Sequence, residues 1–284
     1  MAQLPAGGLK ESYAKAPPAK EGKKAPPYDY FHINSIDLEP NGNLLVSARN
    51  THAIYEIDPG TKAILWRLGG KRSDFKLGAG IRFAWQHDAR RQPDGTITIF
   101  DNGATPPIRK FSRVLALRVD EATRRATLVR SYRHPKGLLS PFEGNAQFLP
   151  DGHVFVGWGA NPYYTEFDAG GHVVLDASIG RQGAAGTEAD TYRAYRFDWA
   201  GEVSESPAIA EGSGKIYASW NGATEVARWE VVAGPDPQQL SSVRIVPKSG
   251  FETVIPFQST APYLAVRALT GDGHVLGTSK TLKR

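Results

Sequence analysis

Three tight turns recur along the chain, Pro40-Asn41-Gly42, Pro93-Asp94-Gly95 and Pro150-Asp151-Gly152, with a weaker fourth at Gly212-Ser213-Gly214. Asn-Gly and Asp-Gly signal hairpins because both central positions accept positive φ. Each turn is followed by a β-type run: NLLVSARN, TITIFDNG, HVFVGWGAN and KIYASWNGA. Successive turn glycines are 53, 57 and 62 residues apart, and seven residues beyond each stands Arg49, Asn102, Gly159 or Asn221. A sheet-forming unit repeated at this period means propeller blades or a solenoid. Two further runs complete each unit: AIYEID and ILWRLGG, LALRVD and TLVRSYRH, YTEFD and HVVLDAS, EVARWEV and SVRIVP. Four strands joined by tight turns make a blade. The sequence therefore predicts an all-β chain, a β-propeller of four-stranded antiparallel blades, with about four blades visible over residues 28–250. A β-sandwich or plain meander is the competing reading. Within residues 251–284, FETVIPF, YLAVRAL and HVLGTSKTL read as closing strands. Residues 1–27 read as a linker or tail, with Lys20–Lys24 as a solvated stretch.

Composition narrows the partners. The 284 residues include 30 glycines and 20 prolines, which favours many short strands over long helices. The net charge of +5 suits an anionic small ligand as well as nucleic acid. No basic run is interleaved with aromatics and no nucleic-acid motif occurs, so no nucleic-acid partner is expected. The absence of cysteine excludes disulfides, thiolate metal sites and cysteine nucleophiles. No apolar run approaches the roughly 18 residues needed to span a bilayer. The N-terminus lacks an apolar core of signal-peptide length, so the chain reads as soluble and without an export signal, its compartment open. No HExxH, EF-hand loop, P-loop or Rossmann glycine motif appears, and Ser112 and Ser140 lack a nucleophile elbow. No metal and no cofactor is expected.

From Phe31 to Arg113, polar residues sit at the ends of the β-type runs: FHINSID, LLVSARN, WRLGGKRSDF, FAWQHDARRQPDG, FDNG and RKFSR. That places polar chemistry at one rim or channel. Arginine forks suit tetrahedral oxyanions, which makes Arg49, Arg109 and Arg113 candidates, each against a plain ion-pair reading. His32 and His87 carry imidazoles that can donate to an oxyanion or pass a proton. Their bland readings are a strand-start cap for His32 and an inter-blade hydrogen bond for His87. Asp88 faces away from its neighbour His87. Asn34, Asp101, Asn102 and Asn145 read as caps of turns and strand ends first. Asn102 at its repeat position, Trp158, Tyr163, Tyr164, Tyr192, Arg193 and Arg196 are candidates to contact an aromatic ligand, against packing between blades. His153, His172 and His274 follow turn glycines and read as exposed and silent.

With these motifs in order, HINSID, SARN, WRLGGKRSDF, QHDA, FDNG, SR, GNAQFLPDG, VGWGANPY and YRAYRF, residues 28–230 resemble the arylsulfotransferase family, in its actinobacterial and fungal branch. The resemblance implies a six-bladed propeller with a central site. It implies transfer of a sulfuryl group from a phenolic sulfate ester to a phenol without a nucleotide donor. In the family a histidine is transiently sulfated while other histidines and an arginine hold the sulfate. His32 and His87 resemble two of those histidines, and Arg109, or Arg113 after the ATPPI insertion, resembles the arginine. Catalysis is thus expected from His32, His87, Arg109 and Arg113, with Arg49, Asn102, Trp158, Tyr163 and Arg193 binding substrate.

The sulfated histidine of the bacterial enzymes falls near GWGANPY, where Asn161, Pro162 and Tyr163 stand, so this branch uses another nucleophile or does different chemistry. LKESYAKAPP resembles the family's connector into the HINSI blade. Earlier blades are therefore expected upstream, and an open arc would invite pairing with another chain. Family members are commonly exported. The alternative is a catalytically silent propeller that binds an anionic or aromatic ligand or a protein partner. A metal-dependent lactonase or hydrolase would need channel carboxylates, for which Asp88, Asp101 and Glu143 are the candidates.

Overall fold

A computed structural model describes residues 8–18, 21, 23–24, 27–180 and 189–284. Of the Lys20–Lys24 stretch, residues 20 and 22 lie outside them. The chain divides into two compact units, 1–196 and 197–284. Among the described residues the only helical pieces are a single turn at Gly8–Glu11 and a 3₁₀ turn at Arg49–Thr51.

The first unit holds three antiparallel sheets. The strands are β1 Ile33–Leu38, β2 Leu44–Ala48, β3 Ala53–Ile57, β4 Ile64–Gly69, β5 Lys76–Leu77, β6 His87–Arg91, β7 Ile97–Asp101, β8 Arg113–Asp120, β9 Arg125–Tyr132, β10 Asn145–Phe148, β11 Val154–Gly157, β12 Tyr163–Phe167 and β13 Val173–Ser178. They pair in the orders β1-β2-β3-β4, β5-β9-β8-β7-β6 and β10-β11-β12-β13, with β5 adding a short parallel edge to β9. Strands β1, β6 and β10, the first full strand of each sheet, lie next to one another. The second sheet buries both of its faces. Ile97, Ile99, Leu115 and Leu117 pack on Leu45, Ile54, Trp66 and Leu68 of the first sheet. Phe100, Val114 and Tyr132 pack on Val154, Val156, Trp158 and Phe167 of the third. That is why β7, ITIFD, is buried at every residue; each large apolar side chain so placed contributes roughly 1.5–3 kcal/mol. Consecutive four-stranded sheets with their first strands side by side are the blades of a β-propeller.

The recurring turns stand where the sequence places them, but their geometry differs from the expected one. Only the glycines take positive φ, at 85°, 82° and 84° for Gly42, Gly95 and Gly152. Each glycine N–H bonds the carbonyl three residues back, Glu39, Gln92 or Leu149, so proline and Asn/Asp are the central pair. Proline's fixed φ selects a type I turn, and the glycine follows in the left-handed region. Asn41, Asp94 and Asp151 each lock the turn by accepting the amide two residues on, at 2.9, 2.9 and 3.0 Å.

The second unit corrects the expectation of a fourth blade. Its strands are β14 Ala208–Gly212, β15 Lys215–Ser219, β16 Arg228–Asp236, β17 Gln239–Pro247, β18 Glu252–Pro256, β19 Tyr263–Leu269, β20 Val275–Thr278 and β21 Leu282–Lys283. β15 pairs with β18, not β16, giving a three-stranded sheet. β16 sits between β17 and β19 in a separate sheet with β20 and β21. Pairing therefore runs across residue 250, and β18 to β20 belong to the same two sheets as the strands before them. Trp229, Val231, Ile255 and Val266 are buried in their common core.

Candidate functional site

The sheet starts obey one rule. His32, Trp85 and Glu143 take left-handed φ of 58°, 58° and 60°. Two residues on, Asn34, His87 and Asn145 each reach the backbone of the next segment. Asn34 Nδ2 donates to Gln86 O at 2.7 Å, and Asn145 Nδ2 donates to Ala194 O at 2.7 Å. His87 Nε2 accepts the Glu143 N–H at 3.2 Å, so its Nδ1 carries the proton and donates to Asn102 Oδ1 at 2.8 Å. The next residue repeats as well: Ser35 Oγ accepts from Ala89 N and Asp88 Oδ2 accepts from Ala146 N, at 3.0 and 3.3 Å. His87 thus occupies the position that holds blade to blade. It is 3% exposed with both ring nitrogens engaged, and burial pulls its pKa down to about 4. Asn102, fully buried, spends its amide on Ser140 O and Glu143 O.

The other expected residues fall into place around this seam. His32 is exposed at the start of β1, its Nδ1 paired with Asp29. Its carbonyl accepts the Arg49 N–H at 2.9 Å. Arg49 donates to Pro141 O at 3.1 Å and lies 4.9 Å over the Trp85 ring. Arg193 donates to Asn34 O at 2.9 Å and stands 3.3 Å from Asp88, which also pairs with Arg90. Trp158 is buried inside the third sheet, its Nε1 on Thr165 at 2.9 Å, and Tyr163 Oη accepts from Lys136 Nζ at 3.2 Å. His153 is tied to Glu166 at 2.7 Å, whereas His172 and His274 are exposed. The carboxylates weighed as metal ligands face guanidiniums or stand apart. No group of three or more His, Asp or Glu fit to hold a metal occurs among the described residues.

Arg109 and Arg113 open onto a cavity of about 660 Å³ in the first unit. Its wall also includes Tyr13, His52, Arg82, Phe83 and Ile108, with Gly69, Gly70, Gly78 and Gly80. Arg109 and Arg113 share Asp101 Oδ2 at 3.2 and 2.9 Å. Both also donate to Arg82 O, at 2.6 and 3.1 Å. Asp101 is fully buried and takes the Ala84 N–H at 3.1 Å on its other oxygen. Burial, opposed by Asp101 and helped by Arg113 and Arg82, lowers the Arg109 pKa. Its Nε has no partner among the described residues. Two guanidiniums thus meet one carboxylate, and the Arg82 charge bears on Arg109 beside them. Gly69 permits this wall, since a Cβ there would lie 2.5 Å from Phe83 and 2.8 Å from His52 O.

His52, which no motif singled out, supplies what the arginines lack. It follows the 3₁₀ turn in the left-handed region, φ 52°. It is 7% exposed, and its Nε2 is buried without a hydrogen-bond partner. Burial first, then Arg49, Arg82 and Lys71, hold its pKa down to about 3, so the ring is neutral. Arg82 is the other residue that the motifs passed over. Neither His32 nor His87 lines this cavity, so the expected meeting of those histidines with Arg109 or Arg113 does not occur there. The available signal for His52 was its rim position, three residues past the repeat position of Arg49.

A propeller with an arginine-walled cavity is the class this geometry defines. The arylsulfotransferase (ASST) family matches residues 4–180, and the chain belongs to that family. No curated protein matches the sequence. Among solved structures, a protein of unknown function from Bacteroides caccae is 15% identical with a TM-score of 0.35, covering 83% of this chain and 75% of its own. A catalytically inactive virginiamycin B lyase from Staphylococcus aureus, with quinupristin, is 10% identical with a TM-score of 0.38, covering 92% and 69%. Hydrazine synthase from Kuenenia stuttgartiensis is 12% identical with a TM-score of 0.35, covering 89% and 60%. Among the described residues no helix is long and apolar enough to cross a membrane.

Proposed function

We propose that the chain transfers a sulfuryl group from a phenolic sulfate ester to a phenol, in the cavity walled by Arg82, Arg109 and Arg113. The observation that carries this reading is the presence of Arg82, Arg109, Arg113 and His52 on the wall of one cavity. Sulfuryl transfer, like phosphoryl transfer, needs positioning and charge neutralisation more than covalent machinery. The guanidiniums take the sulfuryl oxygens, and Phe83 and Ile108 border the aryl ring. His52 takes the sulfuryl group: its lone pair attacks sulfur, the S–O bond to the aryl group breaks, and the donor phenolate leaves. The acceptor phenol oxygen then attacks the sulfur, the N–S bond breaks, and the phenol's proton balances the one taken up by the departed donor phenolate. His87 serves the scaffold in this reading, and His32, paired with Asp29 outside the cavity wall, has no part in the transfer.

The test is phenol release from 4-nitrophenyl sulfate with a second phenol as acceptor. Arg109→Ala and Arg113→Ala are expected to lower the rate on the order of 100-fold each, as loss of a preorganised charge contact does. His52→Gln is expected to abolish it. Binding of the ester without turnover, weakened by the same arginine changes, would favour the binding-module reading. That alternative has one observation behind it, the full engagement of His87.

A further inference from the structure

Among the described residues Tyr13 is the one cavity-lining residue that comes from ahead of β1. Its segment is fastened to the first blade. Tyr13 N–H donates to Asn50 O at 2.7 Å, and Lys71 Nζ donates to Ser12 O at 2.6 Å. The buried Glu11 accepts from Arg72 at 3.0 Å and from Tyr55 Oη at 3.2 Å. So held, the Tyr13 ring lies flat on the His52 imidazole, centroids 4.0 Å apart and planes within 3°. Trp85 meets the imidazole edge-on at 4.2 Å. One face of the imidazole is covered by Tyr13, the ring belongs to the cavity wall, and its Nε2 is buried without a partner.

We infer that Tyr13 is a positioning residue for His52: its ring seals one face of the imidazole from water and holds the ring in its place in the cavity wall. The catalytic part of this inference rests on the proposed role of His52; the sealing does not. The charged groups that bear on His52 are Arg49, Arg82 and Lys71, all cationic. No carboxylate among them offsets the burial, so removing the Tyr13 cover admits water and relieves the larger cause of the low basicity.

The experiment is the titration of His52 by NMR in the full chain, its signal assigned by loss in His52→Gln. In the wild type His52 is expected to titrate at about 3. Tyr13→Ala is expected to raise the midpoint by roughly one pH unit or more, and Tyr13→Phe, which keeps the flat ring, to leave it unchanged. With 4-nitrophenyl sulfate, Tyr13→Ala is expected to lower kcat roughly tenfold with little change in KM, and Tyr13→Phe to restore it. Should Tyr13→Ala not fold, Tyr13→Ser, which likewise uncovers the ring, is expected to show the same rise. A titration unchanged in Tyr13→Ala or Tyr13→Ser overturns the inference. A midpoint that shifts as expected in a chain that turns over no aryl sulfate upholds the sealing and overturns the transfer reading instead.

Discussion

The place of His87 in the blade-to-blade seam can be tested by two substitutions that separate scaffold from chemistry. His87→Ala deletes the acceptor of the part-buried Glu143 N–H and the donor to the buried Asn102 Oδ1, and leaves a ring-sized void. Each unpaired buried group costs about 1–3 kcal/mol and the void adds to it, so the loss should be on the order of 3–5 kcal/mol. His87→Asn places at this position the residue that stands at 34 and 145, and should cost about 1–2 kcal/mol, since one of the two bonds can be kept. The pH adds an independent check. The folded pKa, about 4, lies below the ordinary 6.5, so the unfolded chain binds the proton first. This contribution is fully present above about pH 6.5 and is lost as pH falls toward 4, roughly 2 kcal/mol of it by about pH 5. His52, at about 3, adds a loss of similar size over the same range. Urea unfolding followed by tryptophan fluorescence at about pH 7.5 and pH 5 reads both effects, and His87→Asn should remove about half of this histidine-linked acid sensitivity. The reasoning fails if His87→Ala unfolds at the wild-type urea concentration while abolishing aryl sulfate turnover.

Three further outcomes follow from the same geometry. Asp101→Asn leaves Arg109 and Arg113 without their shared carboxylate. It should lower stability by roughly 2–4 kcal/mol in urea unfolding, and it should tighten sulfate binding measured calorimetrically. Gly144→Ala sets a Cβ 2.5 Å from the Phe100 ring at φ +97° and should cost about 2–4 kcal/mol. Gly42→Ala, at φ +85° with nothing within 4 Å, should cost only about 1–2 kcal/mol, and the comparison of the two unfolding midpoints separates crowding from backbone strain.

The parts of the fold that depend on neighbours in sequence were legible. Pro40-Asn41-Gly42 and its two copies carry their own geometry, in the fixed φ of proline, the Asx bond and the left-handed glycine. The strands that follow are recognisable from β-branched runs. The pairing of β15 with β18 was not legible, because both β16 and β18 are suitable strands and only long-range packing chooses between them. The cavity was hidden for the same reason. Its wall draws on residue 13, on the turn at 49–52, on the connector at 69–83 and on the segment at 108–113. No window of sequence contains more than a part of it. His87 was legible in the opposite sense: FHINS, AWQHD and FEGNA align so that Asn34, His87 and Asn145 coincide. That alignment points to the inter-blade bond that His87 makes.

The repeat also tells where chemistry can reside in such a scaffold. Positions that recur, such as Asn34, His87 and Asn145 with Ser35 and Asp88, are committed to joining one blade to the next, and any ligand bond there would compete with the seam. The rim after the second strand of each blade carries that demand only in part: Asn102 braces His87, whereas His52 Nε2 bonds to nothing among the described residues. It reads Arg49-Asn-Thr-His52 in the first blade, Asn102-Gly-Ala-Thr105 in the second and Gly159-Ala-Asn-Pro162 in the third. Only the first copy brings an arginine and a histidine, and only beside it does the connector add Arg82 and the preceding segment add Tyr13. The charge follows the same asymmetry: Asp101 is fully buried beneath Arg109 and Arg113 and neutralises one of the three guanidinium charges, leaving the others to an incoming anion. The site therefore arises where the copies differ, and the residues they share keep its wall in place.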